Sequence, residues 1–261
     1  MCRQALSQLP PCGQVRVSID WTTEDQQHLL VVSLKIGRRA VPIFWRAYAQ
    51  TALKGRMKRY ELAVINRAFK LIFQSITPGR LWLTADRGFP ERDLFVCLEA
   101  APIRYVLRVK GATKVCLRGT WVKLNQLRFV GNARARTLGW VSYCQSSPHR
   151  VYLTISRARD KKGKWQRWYL VSNRPLSARQ MASEYGCRFA CEEGFRDSKW
   201  WLGFKEARIA DIRAWSRLFC LFAIAMLVLV WGPSCYCQAG RTPARSYGGL
   251  LRAAGIVVNW G

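Results

Sequence analysis

The chain has 261 residues, half of them hydrophobic and 12% aromatic, which supplies a sizeable core for one large or two small domains and excludes wholesale disorder. Forty-three Lys and Arg against 15 Asp and Glu give a net charge of +28, so the expected partner is a polyanion, most simply nucleic acid. Two histidines, His28 and His149, leave little material for a His-rich zinc site or a Ser-His-Asp scheme.

Residues 1–13 contain no continuous apolar run and are read as a stub, not a secretory signal. Val15, Val17 and Ile19 alternate with Arg16, Ser18 and Asp20, which predicts a strand with one apolar face and Asp20 at its end on the other. Leu29 to Ile36 and Ala40 to Tyr48 form a hairpin across Gly37-Arg38-Arg39. Residues 52–76 read as one helix with Val64, Ala68, Leu71 and Ile72 at core spacing, stopped by Thr77-Pro78-Gly79. Arg80 to Ala85 is a fourth strand, and Asp86 follows it on the face opposite Leu81, Leu83 and Ala85. A helix from Pro90 to about residue 100 and a fifth strand, Arg104 to Val109, complete the order βββαβαβ over residues 14–110.

From Gly111 to about residue 176 the pattern changes to short β-like runs (Thr120 to Val122, Gly139 to Tyr143, Val151 to Ile155, Trp165 to Ser172). They are split by charged turns such as Ala158 to Gly163, which reads as a basic, Trp-rich β insertion. Ser177 and Gln180 form a capping-box pattern that opens a helix to about Phe204, within a second core part at 177–232. Leu218 to Trp231 is the longest apolar run at fourteen residues, short of the ~20 a spanning helix needs, so a buried core helix is expected. Residues 233–261 form a tail with little periodic signal. The ten cysteines lack framework spacing, which suggests free thiols in a reducing cytosol. Cys187 with Cys191, or Cys235 with Cys237, has no second pair at zinc-binding spacing.

Chemistry concentrates on the helix after Ser177. Tyr185, Arg188, Glu192 and Lys199 sit at offsets 0, 3, 7 and 14, within about 60° of one another at ~100° per residue. Arg196 lies close to that stripe, and Glu193 lies ~100° round from Glu192. In isolation the stripe would be a solvated face with an Arg188–Glu192 pair worth only ~0.3–0.5 kcal/mol. Together with Asp20 and Asp86, however, it offers three carboxylates from two strands and a helix. Such a set suits two hard divalent cations, Mg²⁺ or Mn²⁺, working at a phosphodiester.

These residues resemble the catalytic domain of a DDE transposase of the insertion-sequence four family, whose signature is Y-x₂-R-x₃-E-x₆-K. Tyr185, Arg188, Glu192 and Lys199 match it completely, after an Asp20 block (Ser18-Ile19-Asp20-Trp21-Thr22) and an Asp86 block (Thr84-Ala85-Asp86-Arg87-Gly88-Phe89). The resemblance spans roughly residues 14–230. It implies an α/β, ribonuclease-H-like mixed sheet with flanking helices and a β-rich insertion before the Glu-bearing helix. It also implies that Asp20, Asp86 and Glu192 are catalytic and hold two Mg²⁺ or Mn²⁺ ions, and that Tyr185, Arg188 and Lys199, with Arg196 nearby, grip DNA. A Trp of the insertion, Trp165 or Trp168, would meet an extruded base; as plain strand aromatics both would pack on the insertion core.

The activity implied is metal-dependent cleavage and strand transfer at transposon ends, in the cytoplasm at the nucleoid. Partners would be double-stranded DNA, both ends and target, with room for a homodimer on the DNA and no membrane. Asp20 comes only nineteen residues in, where relatives carry a DNA-binding region, so a truncated copy with little sequence preference is expected. The rival reading is an inactive DNA-binding remnant or an inhibitor of transposition.

Overall fold

A computed structural model of the protein describes residues 2–7, 9, 12–24, 26–127, 134–159, 163–201, 209 and 211–238. After a short helix α1 (Cys2–Ser7) come strands β1 (Val15–Glu24), β2 (Gln27–Ile36) and β3 (Arg39–Ala49), then helices α2 (Gln50–Leu53) and α3 (Met57–Ile72). Strand β4 (Leu81–Ala85), helix α4 (Arg92–Ala100) and strand β5 (Arg104–Val109) follow. Five more strands are β6 (Lys114–Leu117), β7 (Thr120–Lys123), β8 (Ala135–Tyr143), β9 (His149–Arg159) and β10 (Trp165–Ser172). The last described elements are helices α5 (Ala178–Gly186), α6 (Phe189–Trp201) and α7 (Ile212–Gln238).

The protein is mixed α/β, with helices on both faces of one ten-stranded mixed sheet ordered β3-β2-β1-β4-β5-β10-β9-β8-β6-β7. β1, β2 and β3 pair antiparallel, whereas β1–β4 and β4–β5 are parallel, joined by crossovers through α3 and α4. Residues 111–176, read from the sequence as a β-rich insertion, carry strands β6 to β10. β10 pairs antiparallel with β5, so the outer five strands continue the same sheet. Val141, Tyr143, Val151, Leu153 and Ile155 join the core cluster that holds Val17, Ile19 and Leu83.

Alternation decides the two faces. Val15, Val17 and Ile19 of β1 and Leu81, Leu83 and Ala85 of β4 are buried with Val64, Ala68 and Phe69 of α3 and Leu94, Phe95 and Leu98 of α4. The other face receives Met181 and Tyr185 of α5 over Trp82, Val106 and Leu170. Further along, Phe195 of α6 and Trp215, Phe219 and Met226 of α7 cover Leu29 and Val31.

Three helices depart from the periodicity. The stretch 52–76 is broken at Gly55, which takes φ +66°, a backbone that glycine adopts without a Cβ penalty. The helix after Ser177 is two helices, α5 and α6, with Cys187 and Arg188 in a turn between them. The apolar run Leu218 to Trp231 belongs to a longer helix, α7. Its part Ile212–Val230 is long and apolar enough to cross a membrane by length and composition, a property that core helices of soluble proteins share. It is not the buried core helix that its apolar run suggested: one face packs on the sheet, while Leu221, Ile224 and Val228 are exposed and 28% of the stretch is buried. The continuation to Phe204, the turn residues 160–162 and the tail from 239 lie outside the described residues.

Candidate active site

Register brings three strands to a common edge. Ile19 pairs with Ala85 and Ala85 with Leu107, so Asp20, Asp86 and Arg108 sit one step beyond adjacent rungs of β1, β4 and β5. Asp20 is not at a strand end as alternation suggested. β1 runs on to Glu24 against β2, and only its pairing with β4 stops before Asp20. Both aspartates point away from the α3–α4 core, toward the turn between α5 and α6.

Arg188 fills the centre of that turn and is 4% exposed. One guanidinium nitrogen donates to Asp20 Oδ2 at 2.5 Å, the other to Glu192 Oε1 at 2.5 Å, and Nε donates to Tyr185 Oη at 3.2 Å. The Tyr185 hydroxyl donates to Asp86 Oδ1 at 3.0 Å, and Arg108 stands 3.6 Å from the same oxygen. Asp20 Oδ1 accepts the backbone N–H of Trp21 at 3.0 Å. Three of the four signature residues and both aspartates therefore form one connected network. Glu193 is exposed and outside it.

Behind Tyr185, Trp168 packs at 5.2 Å, tilts over Phe189 at 5.5 Å and takes Arg108 over its ring at 5.7 Å. Trp165 is 53% exposed on the same strand, with Arg159 over its ring at 4.8 Å. The two tryptophans thus separate, one built into the site's wall and one presented to solvent. Arg196 is exposed on α6, and the side chain of Lys199 lies outside the described residues.

Sequence reasoning missed two members of this neighbourhood. Arg108 is an inward charge in the otherwise apolar Tyr105 to Val109 strand, and that mismatch was its signal. Arg16 of β1 grips Glu184 of α5 through two 2.7 Å bonds, which fixes α5 across β1. Cys187 and Cys191 make no zinc pair: Cys191 is buried against Ser33, and burial pushes its thiol up to about 12. The eight cysteines whose side chains are described, Cys187 and Cys191 among them, are free.

The electrostatics follow from burial and crowding. Burial, together with the charges of Asp86 and Glu192, pushes Asp20 up to about 6 against the pull of Arg188 and the Trp21 N–H. For Asp86 burial also pushes upward. The Arg87 N–H, Arg188, the Tyr185 hydroxyl and Arg108 together outweigh it and hold that carboxyl below its ordinary value. Burial raises Tyr185 to about 12, so its hydroxyl stays a donor. Burial works against the charge of Arg188, but Tyr185, Asp20, Glu192 and Asp86 around it hold its proton more firmly than usual.

A pH effect follows. The folded chain holds the Asp20 proton to about 6 and the unfolded chain to about 3.8, so ionisation opposes folding. The contribution is fully present below about 3.8 and is lost as pH rises through about 6, on the order of 3 kcal/mol. In chelator, urea unfolding should show Asp20→Asn gaining stability relative to the parent across this interval. A parent–variant difference that stays flat with pH contradicts it.

A groove of about 530 Å³ between α3 and α4, lined by Leu62, Phe69, Phe73 and Val96, holds none of these carboxylates. Asp86 and Glu192 side chains are instead partly open to solvent, at 31% and 37%. Among the described residues no group of three or more His, Cys, Asp or Glu stands close enough to hold a metal ion; Arg188 lies between Asp20 and Glu192. No family model matches the chain, and no curated protein matches it.

Proposed function

We propose that the chain is a DDE transposase on a ribonuclease-H-like core, cutting DNA at transposon ends and joining the freed 3′-hydroxyl to target DNA at the nucleoid. One observation carries this reading: Asp20, Asp86 and Glu192, far apart in sequence, meet at one partly open sheet edge around the signature arginine. The order βββαβαβ, then further strands, then the Glu-bearing helix supports it as well.

By chemistry the three carboxylates are hard oxygen donors of the kind Mg²⁺ and Mn²⁺ take, with Arg188 standing between Asp20 and Glu192 where a cation would have to enter. Asp20 feels the charges of Asp86 and Glu192, and that repulsion is relieved by the positive charge that lies among them. Asp20, Asp86 and Glu192 would hold two Mg²⁺ or Mn²⁺ ions, which when bound supply Lewis acidity and an activated nucleophile at a phosphodiester. The chain's own residues do the rest. Arg188 balances two carboxylates, and Tyr185 aims Asp86. For either to grip DNA it must exchange these contacts for phosphate. Arg196 and Trp165 are already exposed for that purpose, and Lys199 would join them.

The tie from Arg188 to Asp20 and Glu192 favours a second reading, a DNA-binding remnant or inhibitor whose carboxylates stay locked to their own arginine. Nicking separates the two. The transposase reading expects a supercoiled or end-bearing substrate to be nicked only with Mg²⁺ or Mn²⁺, and not by Glu192→Gln. A parent that binds DNA but never nicks it establishes the remnant. Either way, a +28 chain making about 6–10 phosphate contacts should lose on the order of 10³–10⁵ in DNA affinity between about 50 and 200 mM salt. Tight binding that is insensitive to salt contradicts this.

A further inference from the structure

Asp20 and Asp86 are held from the front of the sheet by Arg188 and Tyr185. A second set of contacts reaches both aspartate segments from the back. Glu61 of α3 is a buried carboxylate, its side chain 6% exposed, facing an otherwise apolar layer. It accepts the indole N–H of Trp21 at 2.8 Å, and Trp21 is the residue whose backbone N–H binds Asp20 Oδ1. Its other oxygen takes Lys58 Nζ at 2.8 Å, one turn earlier on the same helix. Lys58 also donates to the carbonyl of Gly88, in the turn that Asp86 opens and the Phe89 N–H to Asp86 C=O bond closes at 3.0 Å. Lys58 further lies 5.8 Å over the Phe89 ring and 3.6 Å from Glu91.

Burying a carboxylate is costly unless it is paired and hydrogen-bonded, and here both of its partners lead to the aspartate segments. A leucine at position 61 would satisfy packing alone. We infer that Lys58 and Glu61 are positioning residues for the candidate active site: an ion pair on α3 that clamps the Asp20 segment to the Asp86 turn and so sets the spacing of the two carboxylates. The inference deepens the transposase reading and rests on it for its functional meaning, while the clamp itself is a metal-independent property of the fold. Outer partners of this kind typically weaken metal affinity or activity about 10–100-fold when removed.

The test uses the full chain as parent, Lys58→Met, Glu61→Gln and the double variant Lys58→Met/Glu61→Gln. The double variant leaves no unpaired buried charge, and it decides the matter if Lys58→Met alone fails to fold. Hydrogen exchange followed by mass spectrometry, in chelator, should show faster exchange in peptides covering residues 18–23 and 84–90. Peptides from β2, β9 and β10 should stay at parental rates. Manganese titration should show Mn²⁺ affinity weakened about 10–100-fold, and less by Glu61→Gln, which keeps the bond from Trp21. Uniformly faster exchange, or no change at the two segments, overturns the clamp and leaves Lys58 and Glu61 as ordinary structural residues. A parent that takes up no Mn²⁺ overturns the transposase reading instead, and the exchange pattern still decides the clamp.

Discussion

Replacing Arg188 by Met should cost about 3–5 kcal/mol of stability near neutral pH, the range for removing one partner of a buried ion pair. The guanidinium is almost wholly enclosed, and it gives up Asp20, Glu192 and the Tyr185 hydroxyl at once. Methionine keeps much of the volume but leaves Asp20 facing Glu192 and Asp86 without a counter-charge. The Asp20 carboxyl then rises further above its already raised value, so the deficit of the variant should shrink as pH falls through that range. Asp20→Asn in the Arg188→Met background should restore part of the loss, because one of the crowded charges is gone. Urea unfolding of the four proteins, near pH 7 and near pH 5, measures all of this. A loss under about 1 kcal/mol for Arg188→Met would mean that the network carries no more than a surface ion pair.

Manganese should stabilise the parent, and the gain should vanish in Asp86→Asn. Ligand that binds only the folded chain adds about 2.7 kcal/mol at ~100 times its dissociation constant. The exchange is not free, since a cation entering between Asp20 and Glu192 displaces the bonds from Arg188. The observed gain therefore measures how much better a divalent charge satisfies the three carboxylates than the guanidinium does. Asp86→Asn keeps the Tyr185 hydrogen bond while removing a charge, so it should fold and show little shift. Glu193→Gln, altered at an exposed side chain outside the network, should shift as the parent does. The comparison is thermal unfolding with and without Mn²⁺. A full shift in Asp86→Asn would remove Asp86 from any metal site.

Strands β1 and β4 were readable because their alternation is strict, whereas the four-residue β6 was missed because it is too short to show a period. Val15, Val17 and Ile19, or Leu81, Leu83 and Ala85, leave no choice of buried face. The meeting of Asp20, Asp86 and Glu192 could be expected from the signature order, but its form could not. A helix wheel assumes continuity, and the turn at Cys187 and Arg188 breaks it. Gly186 was the local hint, a weak helix former just where α5 ends. The joining of β10 to β5 was hidden because antiparallel partners more than fifty residues apart leave no local trace. In the sequence Lys58 and Glu61 stand three apart on a helix, a spacing that any solvated pair shares and that by itself signals nothing. Only the tertiary packing of Trp21 and the Asp86 turn buries Glu61 and sets Lys58 across it, the lysine keeping 38% exposure.

The pairing of β10 with β5 bears on how such a chain could be trimmed or rebuilt. Four rungs tie Val106, Leu107, Arg108 and Val109 to Ser172, Val171, Leu170 and Tyr169. Were residues 111–176 excised and the ends rejoined, β5 would become a border strand with its outward N–H and C=O groups unmet, an invitation to stack with other copies. The same excision would take away Trp168, against which Tyr185 leans, so the aim of Asp86 would loosen together with solubility. Shortening the turn between β6 and β7 leaves that border sealed. Variation in length is therefore tolerable at the far rim of the sheet and not at its middle seam.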